Sequence, residues 1–168
     1  MSADVKEKFY PSVGDTLRNP VHLLATGLGS GLSPKAPGTV GSFAAVLFYM
    51  AVLGPLSWGV QLIIIVISVV VGIYLCGKTA KDWGTHDHGS IVWDEWAAQW
   101  LTLIGLPWNS WGLVIGFVFF RLFDIWKPWP ISWCDKNVHG GLGIMLDDIL
   151  AGIMALIATR ASLYALGV

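Results

Sequence analysis

From Trp58 to Gly77 the chain carries no Asp, Glu, Lys or Arg, and the middle of the run is almost entirely Val and Ile. An α-helix needs about 20 consecutive, largely apolar residues to cross the hydrocarbon core of a bilayer, with roughly 17 the practical minimum. This run meets that length, so the rest of the chain is read as that of an integral membrane protein. The composition agrees. Of 168 residues, 55% are hydrophobic and only 12% charged, with a mean hydropathy of +0.65, whereas a soluble domain carries about 25% charged residues. Ten tryptophans suit aromatic belts at the two bilayer surfaces. A net charge of −1 leaves no basic footprint for nucleic acid. Cys76 and Cys134 form no metal or disulfide pattern. The length allows a single domain over residues 1–168. Residues 1–19 are polar and lack the apolar core and cleavage site of a signal peptide, so they are expected to stay on the inner side.

Further spans are expected at Thr39–Leu56, Trp111–Trp126 and Ile149–Val168. A shorter stretch, counted from Ile91 to Leu106, can just cross. Val21 to Leu32 is shorter still and glycine-rich, and reads as an interfacial or re-entrant piece. The fold expected is an all-α, polytopic membrane bundle with four clear spans and a fifth. With five crossings, residues 1–38, 78–90 and 127–147 share one side. The links near 54–58 and 106–111, on the other side, hold no charged residue. All carboxylates, and all basic residues except Arg121 and Arg160, then fall on or near the first side. The Lys and Arg bias makes that side the cytoplasm.

Four polar segments meet there. The first, GLGSGLSPKAPGTVGS from Gly27 to Ser42, offers glycines whose backbone N–H groups could approach a phosphate, with Lys35, Thr39 and Ser42 as further donors. It matches neither the P-loop nor the dinucleotide fingerprint. Read as plain structure, it is a flexible loop with Thr39 or Ser42 capping the next helix. The second, HDHGSIVWDE from His86 to Glu95, places Asp94 and Glu95 at a helix start. The helix dipole favours one carboxylate there, but two adjacent ones repel. His86 and His88 lack a third zinc ligand at recognisable spacing. The third, RLFDIWKPWP from Arg121 to Pro130, puts Arg121 and Asp124 on one helix face. Asp124 lies in the last turn, where the dipole disfavours a carboxylate; Lys127 suits that position. Ionisable residues within spans are functional candidates. The fourth, GGLGIMLDDILAG from Gly140 to Gly152, sets Asp147 and Asp148 at what reads as a helix start.

These segments supply Asp94, Glu95, Asp124, Asp147 and Asp148 as oxygen ligands suited to Mg2+, which typically takes one or two carboxylates, waters and a substrate phosphate. Arg121 and Lys127 suit phosphate oxygens. Phosphate-ester hydrolysis is the economical reading, with Asp94, Asp124 and Asp148 as the catalytic carboxylates and Asp94 placed to orient or deprotonate the attacking water. Lys35, Thr39, Ser42, Arg121 and Lys127 form the expected phosphate-binding set. A small transporter or channel is the rival from another class, but its charges would line a path near the midplane rather than cluster at one face. The spaced acidic pattern of a phosphoalcohol transferase is absent.

At these four segments, GSGLSPKAPGTVGS, HDHGSIVWDE, FRLFDIWKPWPI and GGLGIMLDDILAG, the sequence resembles the phosphatidylglycerophosphatase A family of bacterial membrane phosphatases. The resemblance covers most of residues 20–155. It implies Mg2+-dependent hydrolysis of phosphatidylglycerophosphate to phosphatidylglycerol and inorganic phosphate, on the cytoplasmic face of the inner membrane. It implies no obligate protein partner.

Overall fold

The computed structural model describes residues 12–108 and 110–167, and among them every regular element is helical. The first eleven residues of the N-terminal polar segment lie outside the described residues. Two short helices come first, α1 (Val13–Arg18) and α2 (Pro20–Ala25), then a 3-10 turn at Ser30–Leu32. The expectation of short pieces over Val21–Leu32 fits them. The helix α3 (Pro37–Phe48) runs on through a π-helical stretch, Tyr49–Leu53. Proline at its first position costs no hydrogen bond, because that N–H is unpaired in any helix. The N-cap is Ala36, so Thr39 and Ser42 do not cap this helix. Both lie inside it, and the Ser42 hydroxyl reaches back to the Gly38 carbonyl at 2.9 Å.

Long helices α4 (Trp58–Asp82, 25 residues) and α8 (Gly140–Leu166, 27 residues) are long and apolar enough to cross a membrane. Between them lie α5 (Trp93–Leu103), α6 (Gly112–Trp126) and the short α7 (Ile131–Asn137). At 1.5 Å per residue, the 11 residues of α5 rise only about 16 Å, less than the stretch from Ile91 to Leu106 suggests. The chain at both of its ends is irregular yet enclosed: Ile91, Val92 and Leu106 are buried. Backbone groups there still find partners. The Val92 N–H donates to the Ala25 carbonyl at 2.9 Å, and the Gly105 N–H donates to Gln61 at 2.8 Å.

The start of α8 departs from expectation. The glycines before Asp147 read as a loop, but the helix begins at Gly140, two turns earlier. Glycine is favoured here by proximity. A Cβ on Gly141 would collide with the Ile73 carbonyl, and one on Gly143 with that of Val138. Helix–helix approach at backbone distance, permitted by small residues, outweighs their weak helix propensity.

Of the expected spans only α4 and α8 reach spanning length; side-chain contacts bring the N-terminal ends of α3, α5 and α8 together with the C-terminal ends of α4 and α6. Links 54–57 and 104–111 meet at one end, where Gly54 packs on Trp108 and Gly105 on Trp58 and Arg160. At the opposite end lie the charged segments. A Cβ on Gly152 would stand 2.8 Å from the Ala98 carbonyl, which fixes the register of the parallel pair α5 and α8. The outward faces are apolar, with Ile63, Ile67 and Val70 of α4, Val118 and Ile125 of α6, and Ile157 of α8 all exposed. Trp58, Trp108 and Trp111 are exposed at one end, and Trp126, Trp129 and Trp133 at the other. Not all tryptophans join these belts: Trp83, Trp96 and Trp100 are buried, and Trp93, Trp96 and Trp100 form an aromatic ladder inside the bundle.

Candidate active site

The register of α5 against α8 builds the site. Ala98 touches Gly152, and one turn earlier on each helix stand Asp94 and Asp148. Because the two helices run parallel, both acidic pairs arrive at the same level. Asp94, Asp147 and Asp148 are buried, each below 8% exposed. Asp94 and Glu95 lie in the first turn of α5, as expected, and the Asp94 Oδ1 accepts the Glu95 N–H at 3.0 Å. Asp147 and Asp148 do not start a helix. They sit two turns into α8, so the dipole and capping explanation expected for them does not apply. One oxygen of each, Asp147 Oδ1 and Asp148 Oδ2, is buried without a hydrogen-bond partner among the described residues. An ionised carboxylate is costly to bury unless it is paired or metal-bound.

The helix α6 brings the cations. Arg121 Nη1 bonds Asp124 Oδ2 at 2.6 Å, Glu95 Oε1 at 3.1 Å and Ser42 Oγ at 3.2 Å. The Ser42 hydroxyl also lies 3.2 Å from Glu95 Oε2. One guanidinium thus joins α3, α5 and α6. Its Nε is buried and has no partner among the described residues. The expected Arg121–Asp124 face is present, and Glu95 extends it. Lys127 ends α6 in a left-handed conformation, φ 46°, and its ammonium bonds Asp147 Oδ2 and Asp135 Oδ1, each at 2.6 Å. Burial alone would lower its pKa, but those two bonds hold it above the ordinary lysine value. Asp124, Asp94, Asp147 and Glu95 all bear electrostatically on Asp148.

Other expected members are placed differently. Gly38 and Gly41 do not present open backbone to a phosphate. Glu95 fills the space where a Cβ on Gly38 would lie, and Val92 crowds the same place at Gly41, so these glycines let the start of α5 and its carboxylate approach α3. Thr39 is half-buried, and Lys35 is exposed with no side-chain partner among the described residues. His86 and His88 diverge: His86 Nε2 meets His139 Nδ1 at 3.2 Å, while His88 packs edge-on against Trp83. Among the described residues no three His, Cys, Asp or Glu side chains converge closely enough to hold one ion by themselves. Cys76 and Cys134 are free and buried. Two acidic residues escaped the sequence reading. Asp135 pairs with Lys127 from α7, and Asp87 is among the charges acting on Asp94 and Asp147. Asp87 stood in the HDHG stretch, where the flanking histidines drew the attention. Asp135 carries no signal along the sequence.

The family model of phosphatidylglycerophosphatase A matches residues 23–163, a range that contains every residue of this site. The chain belongs to the phosphatidylglycerophosphatase A family. A phosphatidylglycerophosphatase A of Escherichia coli is 55% identical over 83% of this chain and 81% of its own length. One of Haemophilus influenzae is 46% identical over 89% and 92%. A relative from Bacteroides thetaiotaomicron, 34% identical over 86% and 94%, is provisionally named a phosphatidylinositol-3-phosphatase. No solved structure matches the chain. Membership and the close relatives make the chain an enzyme of lipid phosphate hydrolysis, a phosphoric monoester hydrolase. The resemblance seen in the four polar segments is thereby borne out.

Proposed function

We propose that the chain is a membrane-embedded, Mg2+-dependent phosphatase that hydrolyses phosphatidylglycerophosphate to phosphatidylglycerol and inorganic phosphate. The observation that carries the Mg2+ reading is the imbalance inside the site. Among the described residues, the five carboxylates Asp94, Glu95, Asp124, Asp147 and Asp148 have only Arg121 and Lys127 as ion-pair partners, and one buried oxygen each of Asp147 and Asp148 has no hydrogen-bond partner. A hard divalent cation fits such an all-oxygen set. Mg2+ keeps several waters and needs only one or two carboxylates beside a substrate phosphate, so a preformed three-ligand cage is not required. Asp94, Glu95, Asp124, Asp147 and Asp148 would share it, one or two of them directly and the others through water. Bound there, it would supply Lewis-acid neutralisation of phosphate charge.

The protein's own groups would do the rest. Arg121, with its unpartnered Nε, would receive phosphoryl oxygens, and Lys127, Ser42, Thr39 and Lys35 would complete the anion site. Neutralising the negative charge of the transferring phosphoryl group is the main catalytic demand in such reactions. Asp124 would hold Arg121 in place while also meeting the ion. Asp94 would take the proton of the attacking water as its oxygen bonds to phosphorus and the bond to the glycerol oxygen breaks, that oxygen leaving with the electron pair and taking a proton from solvent.

With five crossings, this end of the bundle would face the cytoplasm at a bacterial inner membrane, as one domain. Support comes from the two long apolar helices, the two rings of exposed tryptophan and the Lys and Arg residues gathered at the site end. The lipid would keep its chains in the bilayer and present its phosphate at the buried carboxylates. Phosphate release from detergent-purified protein tests this, with phosphatidylglycerophosphate and a phosphatidylinositol phosphate as competing substrates. Release from the former that needs Mg2+ and stops with EDTA is expected. Release from only the inositol lipid would reassign the substrate, and release undiminished by EDTA would remove the metal.

A further inference from the structure

Between α3 and α6 the outer surface is interrupted by a cleft of about 540 Å3, lined by Phe43, Val46, Leu47, Met50, Val114 and Phe117, with Trp108 and Trp111 at its far end. That volume lies within the roughly 300–1,000 Å3 typical of small-molecule sites. Its position relative to the phosphate-binding cluster is what gives it meaning. Ser42 of α3 meets Arg121 of α6 at 3.2 Å. The next contact down the same seam is Phe43 against Phe117, ring centroids 6.3 Å apart; Phe117 lies one turn from Arg121 on the same face. Beyond that pair the walls are apolar for the remaining turns to Met50, about 10 Å at helical rise. Phe43, Leu47 and Val114 are each about half exposed, so the cleft is open along its side.

We infer that this cleft seats an acyl chain of the lipid substrate, holding it beneath a phosphate bound at Arg121 and Ser42. The inference rests on the phosphatase reading of the site. Polar head and apolar tail are arranged along one seam in the order a phospholipid requires. The lateral opening lets a chain enter from the bilayer without leaving it.

The test compares two substrates that share a headgroup, dioleoyl and dihexanoyl phosphatidylglycerophosphate, in the same detergent. Leu47→Trp and Val114→Trp fill the cleft from opposite walls, and Ile157→Trp on the exposed face of α8 serves as control. For the two cleft variants, kcat/KM on the dioleoyl lipid should fall about tenfold or more, the loss of roughly 1.4 kcal/mol of chain contact, while the dihexanoyl lipid is hydrolysed nearly as before. Milder Leu47→Phe and Val114→Phe variants should show the same split if the Trp forms do not fold. Equal loss on both lipids, no loss on either, or the same split in Ile157→Trp would overturn the inference. So would conversion of a dimer to a monomer by the cleft variants, which would give the cleft to a second copy. No release from either lipid by the unaltered protein would instead sink the phosphatase reading beneath it.

Discussion

Arg121 is the most connected side chain of the site, and its three partners come from three helices. Removing Asp124 charge by Asp124→Asn leaves the shape intact but frees the guanidinium. We expect a loss of at least about a hundredfold in kcat, the scale of a lost electrostatic contact to the reacting group, with circular dichroism unchanged. Wild-type turnover by this variant would end the assignment. Asp148 behaves differently, because its buried Oδ2 has no hydrogen-bond partner among the described residues. A lone buried carboxylate destabilises the fold. Asp148→Asn should therefore raise the metal-free Tm while abolishing the rise that Mg2+ gives the unaltered protein, about 2.7 kcal/mol at a hundredfold excess over Kd. A lower metal-free Tm would mean that the carboxylate is satisfied by the protein itself. Lys127 sets no pH limit in the working range. Its pKa is raised by Asp135 and Asp147. A group raised on folding contributes fully below its unfolded value of about 10.4 and loses that contribution only as pH rises through the folded value. Acid or base limits on activity between about pH 6 and 9 thus belong to other groups.

Among the elements, α5 and α8 carry the chemistry through one close contact. Gly152 lies against the Ala98 carbonyl, and each of these residues stands one turn beyond an acidic residue. Alanine at position 152 would gain helix propensity, up to about 1 kcal/mol. Its Cβ, 2.8 Å from a backbone oxygen, would push the helices apart. Overpacking costs typically about 1–3 kcal/mol, so Gly152→Ala should lower Tm and also reduce kcat, because Asp94 and Asp148 separate. Full activity with unchanged Tm would show that the register is not set there. The far end of the same helix pair is held by polar contacts: Arg160 donates to the Ile104 carbonyl, and Gln61 bonds Tyr49, Gly105 and the Leu53 and Leu56 carbonyls. These satisfy backbone groups where the short α5 ends inside the bundle, where a free carbonyl or amide would be costly.

For the whole molecule, the proposed orientation makes the two ends chemically distinguishable. The native cysteines are buried, so a single introduced thiol reports its own side. Ser57→Cys lies at the end with the charge-free links and Lys81→Cys at the site end, both at exposed positions. In intact cells an impermeant maleimide should label the first and spare the second, and the pattern should reverse in inverted vesicles. Labelling of both from one side would refute an odd number of crossings between the site and those links.

The sequence carried the helical class, the charge-free links, the tryptophan-flanked long helix and the family resemblance of the four polar segments, because hydropathy and motif residues are local properties. It also carried the Arg121–Asp124 pairing, which one helical turn enforces. What it did not carry is whatever depends on a neighbour distant along the chain. Glycines at 38 and 41 read as loop or phosphate cradle, yet they admit Glu95 and Val92, and Gly141 admits the Ile73 carbonyl. The start of α8 moved two turns upstream for the same reason, and with it Asp147 and Asp148 lost their explanation as caps. Lys127 found Asp135 and Asp147 rather than open solvent. A glycine in a sequence signals only the absence of a side chain, and the backbone or carboxylate that takes its place is brought there by tertiary packing.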